Sequence, residues 1–257
     1  VEVKRKDTAE RLFKTSSSTN TNRLSGHGGL TMITMMNCDC MEYMATLPDK
    51  AFELAIVDPP YGGGVDGSIS RTGGTWNEKY YKKGERKTKT TEWDSAPNKE
   101  YFDELFRVSK NQIIWGGNYF GLPPSRNFII WRKLTISENF TMAMAEYAWT
   151  NIEDNAKVFD CAPQGTASES RIHPTQKPVA LYKWLLSRYA KPGDKILDTH
   201  GGSGSICIAC HDLGFDLTWM ELDEDYYNAA CKRYKDHAAQ AFLFEPIAEQ
   251  AKQGELI

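Results

Sequence analysis

The chain contains 257 residues, and its 31 Lys and Arg against 34 Asp and Glu give a formal net charge of −3. This balance excludes a global electrostatic attraction to nucleic acid, so any contact with DNA must come from a local basic patch. A chain of this length can bury a core of its own and is expected to form one α/β domain. No apolar run reaches about 18 residues, the length of a transmembrane helix, and no signal-peptide pattern is found, which predicts a soluble, cytoplasmic protein without membrane contact.

Residues 1–34 are polar and rich in Ser, Thr and Asn, without helical or strand periodicity, which predicts a disordered leader. The run from Leu30 to Thr34 resembles the start of the β-galactosidase reading frame in common cloning vectors. A cloning-derived leader is therefore one interpretation, with Met35 or Met36 as the native start. The folded domain is expected over residues 35–244, followed by a polar tail at residues 245–257.

The first folded stretch contains two strands that each end at an aspartate. Asp39 lies where a strand gives way to a short helix, which is typical of a ligand-binding carboxylate; a helix N-cap is the alternative. The second strand runs into Asp58-Pro59-Pro60-Tyr61. Proline fixes φ and removes N–H donors, so this turn is expected to hold carbonyl and carboxylate acceptors rigidly around a small planar group.

Residues 62–92 form a glycine-containing basic loop without apolar periodicity. Aromatic residues lie among its positive charges, a combination that suits phosphate contacts and base stacking, although a merely solvated loop would have a similar composition. The predicted DNA-binding residues of this loop are Arg71, Lys79, Lys82, Lys83, Arg86, Lys87 and Lys89.

Regular patterns return after Trp93. Asp94 or Ser95 can cap a helix whose apolar face includes Tyr101 and Leu105. Three short apolar runs, at residues 112–115, 127–131 and 146–150, predict strands. Residues 151–172 are polar and irregular apart from Val158 and Phe159, so they form a second candidate recognition segment.

The C-terminal part contains a strand, a glycine turn and a helix. A helix follows His173-Pro-Thr-Gln-Lys177-Pro178, and a strand over residues 195–198 then leads into a Gly- and Ser-rich loop and a helix that Gly214 ends. The next strand ends at Glu221, about 20 residues after the glycines, where a carboxylate can accept hydrogen bonds from ribose hydroxyls. The pattern predicts an adenosine-containing cofactor, with a purely structural turn as the alternative.

The turn at Asp58 favours amine methylation over hydride transfer. An aromatic amine is a weak nucleophile, and it improves if both of its N–H groups donate to fixed acceptors. The Asp58 carboxylate and the carbonyl of Pro59 or Pro60 can supply these acceptors, while Tyr61 can stack on the base. The base must first leave the duplex stack.

These motifs, in this order, resemble the DNA amino-methyltransferases that use S-adenosylmethionine, in the permuted β group. The likeness extends from about Met36 to Tyr234 and implies a Rossmann-like, doubly wound α/β methyltransferase fold with a mostly parallel sheet and circularly permuted motif order. It implies that Asp58, Pro59, Pro60 and Tyr61 hold the target base. It also implies that the cofactor is bound by Asp39, Thr175, Lys177, Asp198, Gly202, Ser203, Gly204, Ser205 and Glu221.

The expected activity is methylation of adenine N6 in DNA, with cytosine N4 left open. His200 stands where this family often has Phe, and the short segment 151–172 favours low or short-motif sequence selectivity. A catalytically silent DNA-binding protein and a nucleotide-dependent oxidoreductase remain alternatives; the glycine spacing, with Cys207 in place of a third glycine, disfavours the latter.

No metal is expected, because Cys207-x-x-Cys210-His211 lies in an apolar helix. A monomer and a homodimer are both compatible with the sequence.

Overall fold

The computed structural model describes residues 20–26, 29–62, 95–140, 142–163, 171–173 and 175–243. The strands are β1 (Asn20–Gly26), β2 (Gly29–Asn37), β3 (Phe52–Val57), β4 (Ser109–Trp115), β5 (Phe128–Arg132), β6 (Ala145–Thr150), β7 (Lys157–Asp160), β8 (Lys195–Asp198) and β9 (Asp216–Glu221). The helices are α1 (Cys40–Met44), α2 (Lys99–Val108), α3 (Val179–Tyr189), α4 (Ser205–Leu213) and α5 (Glu224–Leu243), with a 3₁₀ turn at Gly117–Tyr119.

The described strands form one sheet in the order β1-β2-β9-β8-β3-β4-β6-β5-β7. Neighbours from β2 to β4 are parallel, as are β5 and β7, whereas β1 with β2, β4 with β6 and β6 with β5 are antiparallel. The predicted α/β architecture with a mostly parallel sheet is therefore confirmed.

Helices cover both faces of the sheet, which is why β3 is apolar along most of its length. Leu54 and Ile56 join the core cluster that contains residues of α3, α4 and α5. Ala55 and Val57 alternate onto the other face and join the cluster that contains residues of α1 and α2. A central parallel strand buried on both faces is expected to read as a continuous hydrophobic run.

One edge of the sheet collects the strand ends that carry polar chemistry. Because β2, β9, β8, β3 and β4 are parallel, their carboxyl ends lie together there. The antiparallel β6 begins at this same edge, and β5 ends at it. The residues that end or follow these strands at this edge are Asn37, Glu221, Asp198, Asp58, Trp115 and Arg132, and Ala145 begins β6 there.

The structure differs from the sequence-based expectations at three places. Part of the predicted disordered leader is in the sheet: Ile33 of β2 is fully buried and pairs with Leu217 of β9. Helix α2 is capped by the side chain of Asn98, not by Asp94 or Ser95. The candidate recognition segment contributes β7, which pairs with β5 at the outer edge of the sheet. Residues 1–19 and the tail at 245–257 lie outside the described residues.

No helix in the described part of the chain is long and apolar enough to cross a membrane.

Candidate functional site

The Asp58 turn follows β3, and Tyr61 at the end of this turn forms a hydrogen bond back to Asp58. The Tyr61 hydroxyl donates to Asp58 Oδ1 at 2.7 Å. The Tyr61 ring stacks on Tyr119, with centroids 5.0 Å apart and planes 20° apart. Gly116, in the left-handed region at φ 67°, leaves room for this ring, because a Cβ there would lie 2.1 Å from Tyr61 Cε1. Turn and ring are therefore fixed by contacts from the end of β4.

A buried lysine faces the other oxygen of the Asp58 carboxylate. Lys177 Nζ donates to Asp58 Oδ2 and lies 3.1 Å from Glu146 Oε2, and its side chain is 2% exposed. Burial alone would lower the pKa of Lys177, but the carboxylates of Asp58 and Glu146 outweigh it and raise this pKa. The ammonium also lies 5.2 Å from the ring centroid of Trp115. Lys177, expected beside the cofactor, is thus a direct partner of Asp58.

The ion pair extends to two residues that the sequence reasoning missed. Glu146 Oε1 accepts from Lys133 Nζ at 2.6 Å, and the Lys133 side chain is 7% exposed. Burial would raise the pKa of Glu146, yet Lys177 and Lys133 together lower it. The sequence signal for Glu146 was a charged residue on the same strand face as Ala148 and Thr150, which are fully buried.

The glycine loop between β8 and α4 is held by Glu221. The Glu221 carboxylate accepts from the backbone N–H of Gly202 at 2.8 Å and from that of Asp223 at 2.9 Å. Gly202 and Gly204 have φ of 52° and 68°, a conformation that side-chain-bearing residues rarely adopt. The carboxylate expected to bind ribose therefore also anchors the loop expected to surround the cofactor.

Ser203 and Ser205, which were predicted to bind the cofactor, face helix α5. Their hydroxyls lie 3.1 Å apart, and Arg233 donates to the carbonyl of Ser203 and to Ser205 Oγ, each at 2.9 Å. Both side chains are buried. These hydroxyls brace the loop, so a ligand would meet its backbone rather than the serine side chains.

Asp198 ends β8 as a buried carboxylate with a raised pKa. Its Oδ1 accepts from the backbone N–H of His200 at 3.1 Å. Burial, together with the negative charges of Asp58 and Glu221, raises the pKa of Asp198 from 3.8 to about 8. The position thus favours a nearby cation.

His200 contacts Thr199 and Tyr101 of α2. Its Nδ1 lies 3.0 Å from Thr199 Oγ1, and its ring meets Tyr101 edge-on at 5.1 Å. Burial lowers the pKa of His200 to about 4, so the ring is neutral at pH 7. His200 therefore packs as a neutral aromatic ring.

The remaining predicted cofactor residues lie at the same sheet edge. Asp39 is exposed and caps α1 through Met41 N–H at 2.7 Å, as the alternative reading expected. It follows β2, whose end pairs with that of β9. The exposed Thr175 contacts His173, and the His173 ring lies near Gly202. None of these contacts precludes ligand binding.

The predicted DNA-binding residues, from Arg71 to Lys89, lie outside the described residues. In the described part of the chain, no three His, Cys, Asp or Glu side chains form a group that could hold a metal ion. Cys207 and Cys210 are fully buried in α4 and belong to the core.

These contacts define two adjoining halves of a site. The Asp58 turn presents a carboxylate held by Tyr61 and Lys177, and β8, which Asp198 ends before the glycine loop, is the neighbour of β3 in the sheet. The carboxyl groups of Asp198 and Glu221 both have raised pKa values, so a nearby cation would favour their ionised forms and an anion would oppose them.

Comparison with known proteins gives matches of one kind. A family model for N6 and N4 methyltransferases, described as DNA methylase, matches residues 75–232, more than half of the chain. The candidate methylase YubD of Escherichia coli (strain K12) is 28% identical over 214 residues, covering 76% of this chain and 87% of YubD. The type II methyltransferase M.HinfI of Haemophilus influenzae is 24% identical over 252 residues, covering 79% of this chain and 68% of its own.

Among solved structures, the M1.HpyAVI–SAM complex matches with a TM-score of 0.52 and 18% identity, covering 79% of this chain and 98% of that one. At this identity the likeness concerns the fold. The family match begins after the Asp58 turn and includes both Lys177 and the Asp198 loop.

Proposed function

This chain belongs to the N6/N4 DNA methylase family, and from that premise we propose that it transfers a methyl group from S-adenosylmethionine to the N6 amine of adenine in DNA. The observation that carries the proposal is the adjacency of β3 and β8. It brings the acceptor turn at Asp58 beside the loop that begins at Asp198. An amine donor and a methyl donor must meet in this way for direct transfer.

Asp58 is the first acceptor for the amine. Its Oδ2 is engaged by Lys177, and its Oδ1 already accepts from Tyr61 but has a second lone pair for a base N–H. The carbonyl of Pro59 or Pro60 is the second acceptor. Two fixed acceptors draw the amine out of conjugation and aim its lone pair, and Asp58 is placed to receive the proton that leaves nitrogen on methylation.

The loop side fits S-adenosylmethionine through Asp198. Burial and the charges of Asp58 and Glu221 raise the pKa of this carboxyl group to about 8, so a bound cation would favour its ionised form. S-adenosylmethionine, when bound, supplies a methyl group on a positively charged sulfur. Asp198, Glu221, Asp39 and the backbone of Gly202 and Gly204 would hold it. The glycine spacing, with Cys207 in place of a third glycine, disfavours a dinucleotide and with it the oxidoreductase alternative.

The base choice is tested by incubating the full chain with labelled S-adenosylmethionine and unmodified genomic DNA. Digestion and mass analysis distinguish N6-methyladenine from N4-methylcytosine, and base-resolved sequencing gives the surrounding motif. We expect N6-methyladenine. N4-methylcytosine alone would overturn the adenine assignment, and DNA binding without any methylation would indicate a catalytically silent member of the fold.

Asp58→Ala provides the control for the site. This variant should lose methylation while its affinity for S-adenosylhomocysteine stays within about twofold, because Asp58 lies on the base side of the site. Full activity in Asp58→Ala would refute the assigned acceptor.

A further inference from the structure

A chain of four alternating charges extends from the Asp58 turn toward β5: Asp58, Lys177, Glu146 and Lys133. Its members come from four separate segments, and their formal charges sum to zero. Amine methylation, as proposed, needs only the first of them to touch substrate. The distal pair, Glu146 with Lys133, therefore needs its own explanation.

Glu146 controls the surroundings of the Lys177 ammonium. That ammonium is almost completely buried, with Asp58 on one side, Glu146 at 3.1 Å on another and the Trp115 ring at 5.2 Å. A buried ammonium with one carboxylate partner would either lose its proton or move toward that partner and water. Two opposed carboxylates instead hold it at one point between them.

Lys133 holds Glu146 in turn. Its Nζ lies 2.6 Å from Glu146 Oε1 and 5.1 Å from the Trp131 ring centroid, while its backbone N–H donates to Met144 O at 2.8 Å. The base of the β5–β6 connection thus fixes the Glu146 carboxylate on the side opposite Lys177.

We propose that Glu146, supported by Lys133, is a positioning residue for methyl transfer, which fixes the Lys177 ammonium at Oδ2 of Asp58 so that Oδ1 stays directed at the amine. The inference rests on the proposed function, whose acceptor it completes. Stability alone accounts poorly for these charges, because well-packed apolar residues often stabilise such a site more than buried ion pairs do.

The decisive variant is Glu146→Gln, which keeps the shape of the side chain and removes its charge. We expect the single-turnover methylation rate to fall about 10- to 100-fold, the range for displaced positioning groups. The dissociation constants for S-adenosylhomocysteine and for DNA should stay within about twofold. Glu146→Asp, which keeps the charge on a shorter side chain, should recover part of the rate.

Asp236→Asn is the matched control. Asp236 pairs with Lys232 one turn earlier on α5, and both side chains are solvent-exposed. Loss of this pair should leave the methylation rate within about twofold, as expected for a surface ion pair.

If Glu146→Gln does not fold, the charge-balanced double variant Glu146→Gln with Lys133→Met replaces it. A folded double variant that binds S-adenosylhomocysteine but methylates slowly supports the proposal. Wild-type rates in either folded variant, or binding constants that weaken in parallel with the rate, overturn it. Absence of methylation by the wild-type chain would instead count against the proposed function, so the two failures are distinguishable.

Discussion

Lys177 and Asp58, 119 positions apart in the sequence, form a direct ion pair at the carboxyl edge of the sheet. The pair joins the two motifs that the sequence presents separately, the Asp58-Pro59-Pro60-Tyr61 turn and the segment from His173 to Pro178. Its consequence is that one oxygen of the carboxylate proposed to bind the base has its partner before any substrate arrives.

Lys177→Met should be severely destabilising. It leaves Asp58 and Glu146 without the buried cation between them, and removal of one partner from a buried ion pair costs about 3–5 kcal/mol. Urea unfolding at pH 7 measures this change. Lys99→Met, which removes an exposed i,i+4 pair with Asp103, should change stability by less than about 0.5 kcal/mol. Equal unfolding midpoints for Lys177→Met and the wild type would contradict the buried pair.

Tyr61→Phe should separate the role of the ring from that of the hydroxyl. The variant keeps the stack on Tyr119 and loses the hydrogen bond to Asp58 Oδ1, so we expect a loss of about 1–2 kcal/mol of stability and a nearly unchanged methylation rate. Tyr61→Ala removes the stacking surface and should slow methylation about 10- to 100-fold. Rate measurements on both variants test this, and equal losses in the two would assign the effect to the hydroxyl.

Asp198→Asn should stabilise the ligand-free protein in a pH-dependent way. The native pKa of Asp198, about 8, lies above its ordinary value of 3.8, so the folded state retains a proton that the unfolded state releases. This group therefore costs stability increasingly as the pH rises from about 4 to about 8.

The Asn variant does not titrate, so its advantage should be small at pH 4 and largest at pH 8, at least about 1 kcal/mol or 2–4 °C in Tm. Thermal unfolding at both pH values, without cofactor, measures the difference. The same variant should lose S-adenosylmethionine binding. A stability difference that is constant with pH would refute the raised pKa.

Gly116→Ala should displace Tyr61. The new Cβ would lie 2.1 Å from the Tyr61 ring at a position with φ 67°, and the combined strain is expected to cost about 2–4 kcal/mol. Gly121→Ala is the control from the same connection, because a Cβ there meets nothing within 4 Å. Methylation and urea unfolding should both be impaired only in Gly116→Ala; an active, stable Gly116→Ala would show that Tyr61 can move at little cost.

The N-terminal region shows how a composition argument can fail locally. Polar composition favoured a disordered leader, yet Thr31, Ile33 and Met35 alternate onto a buried face of β2. The alternation was present in the sequence, but it becomes decisive only when β9 is available as a parallel partner.

The sequence by itself determined the local units of this protein. Apolar runs that stop at Asp58-Pro59-Pro60 and at Asp198 fixed where two strands end, because proline and glycine act through the backbone of their own neighbourhood. The tertiary structure alone decided that β8 lies beside β3, that Lys177 faces Asp58 and that Glu146 faces Lys177. Which distant segments become neighbours depends on the strand order of the folded sheet, and neither periodicity nor motif spacing along the chain specifies that order.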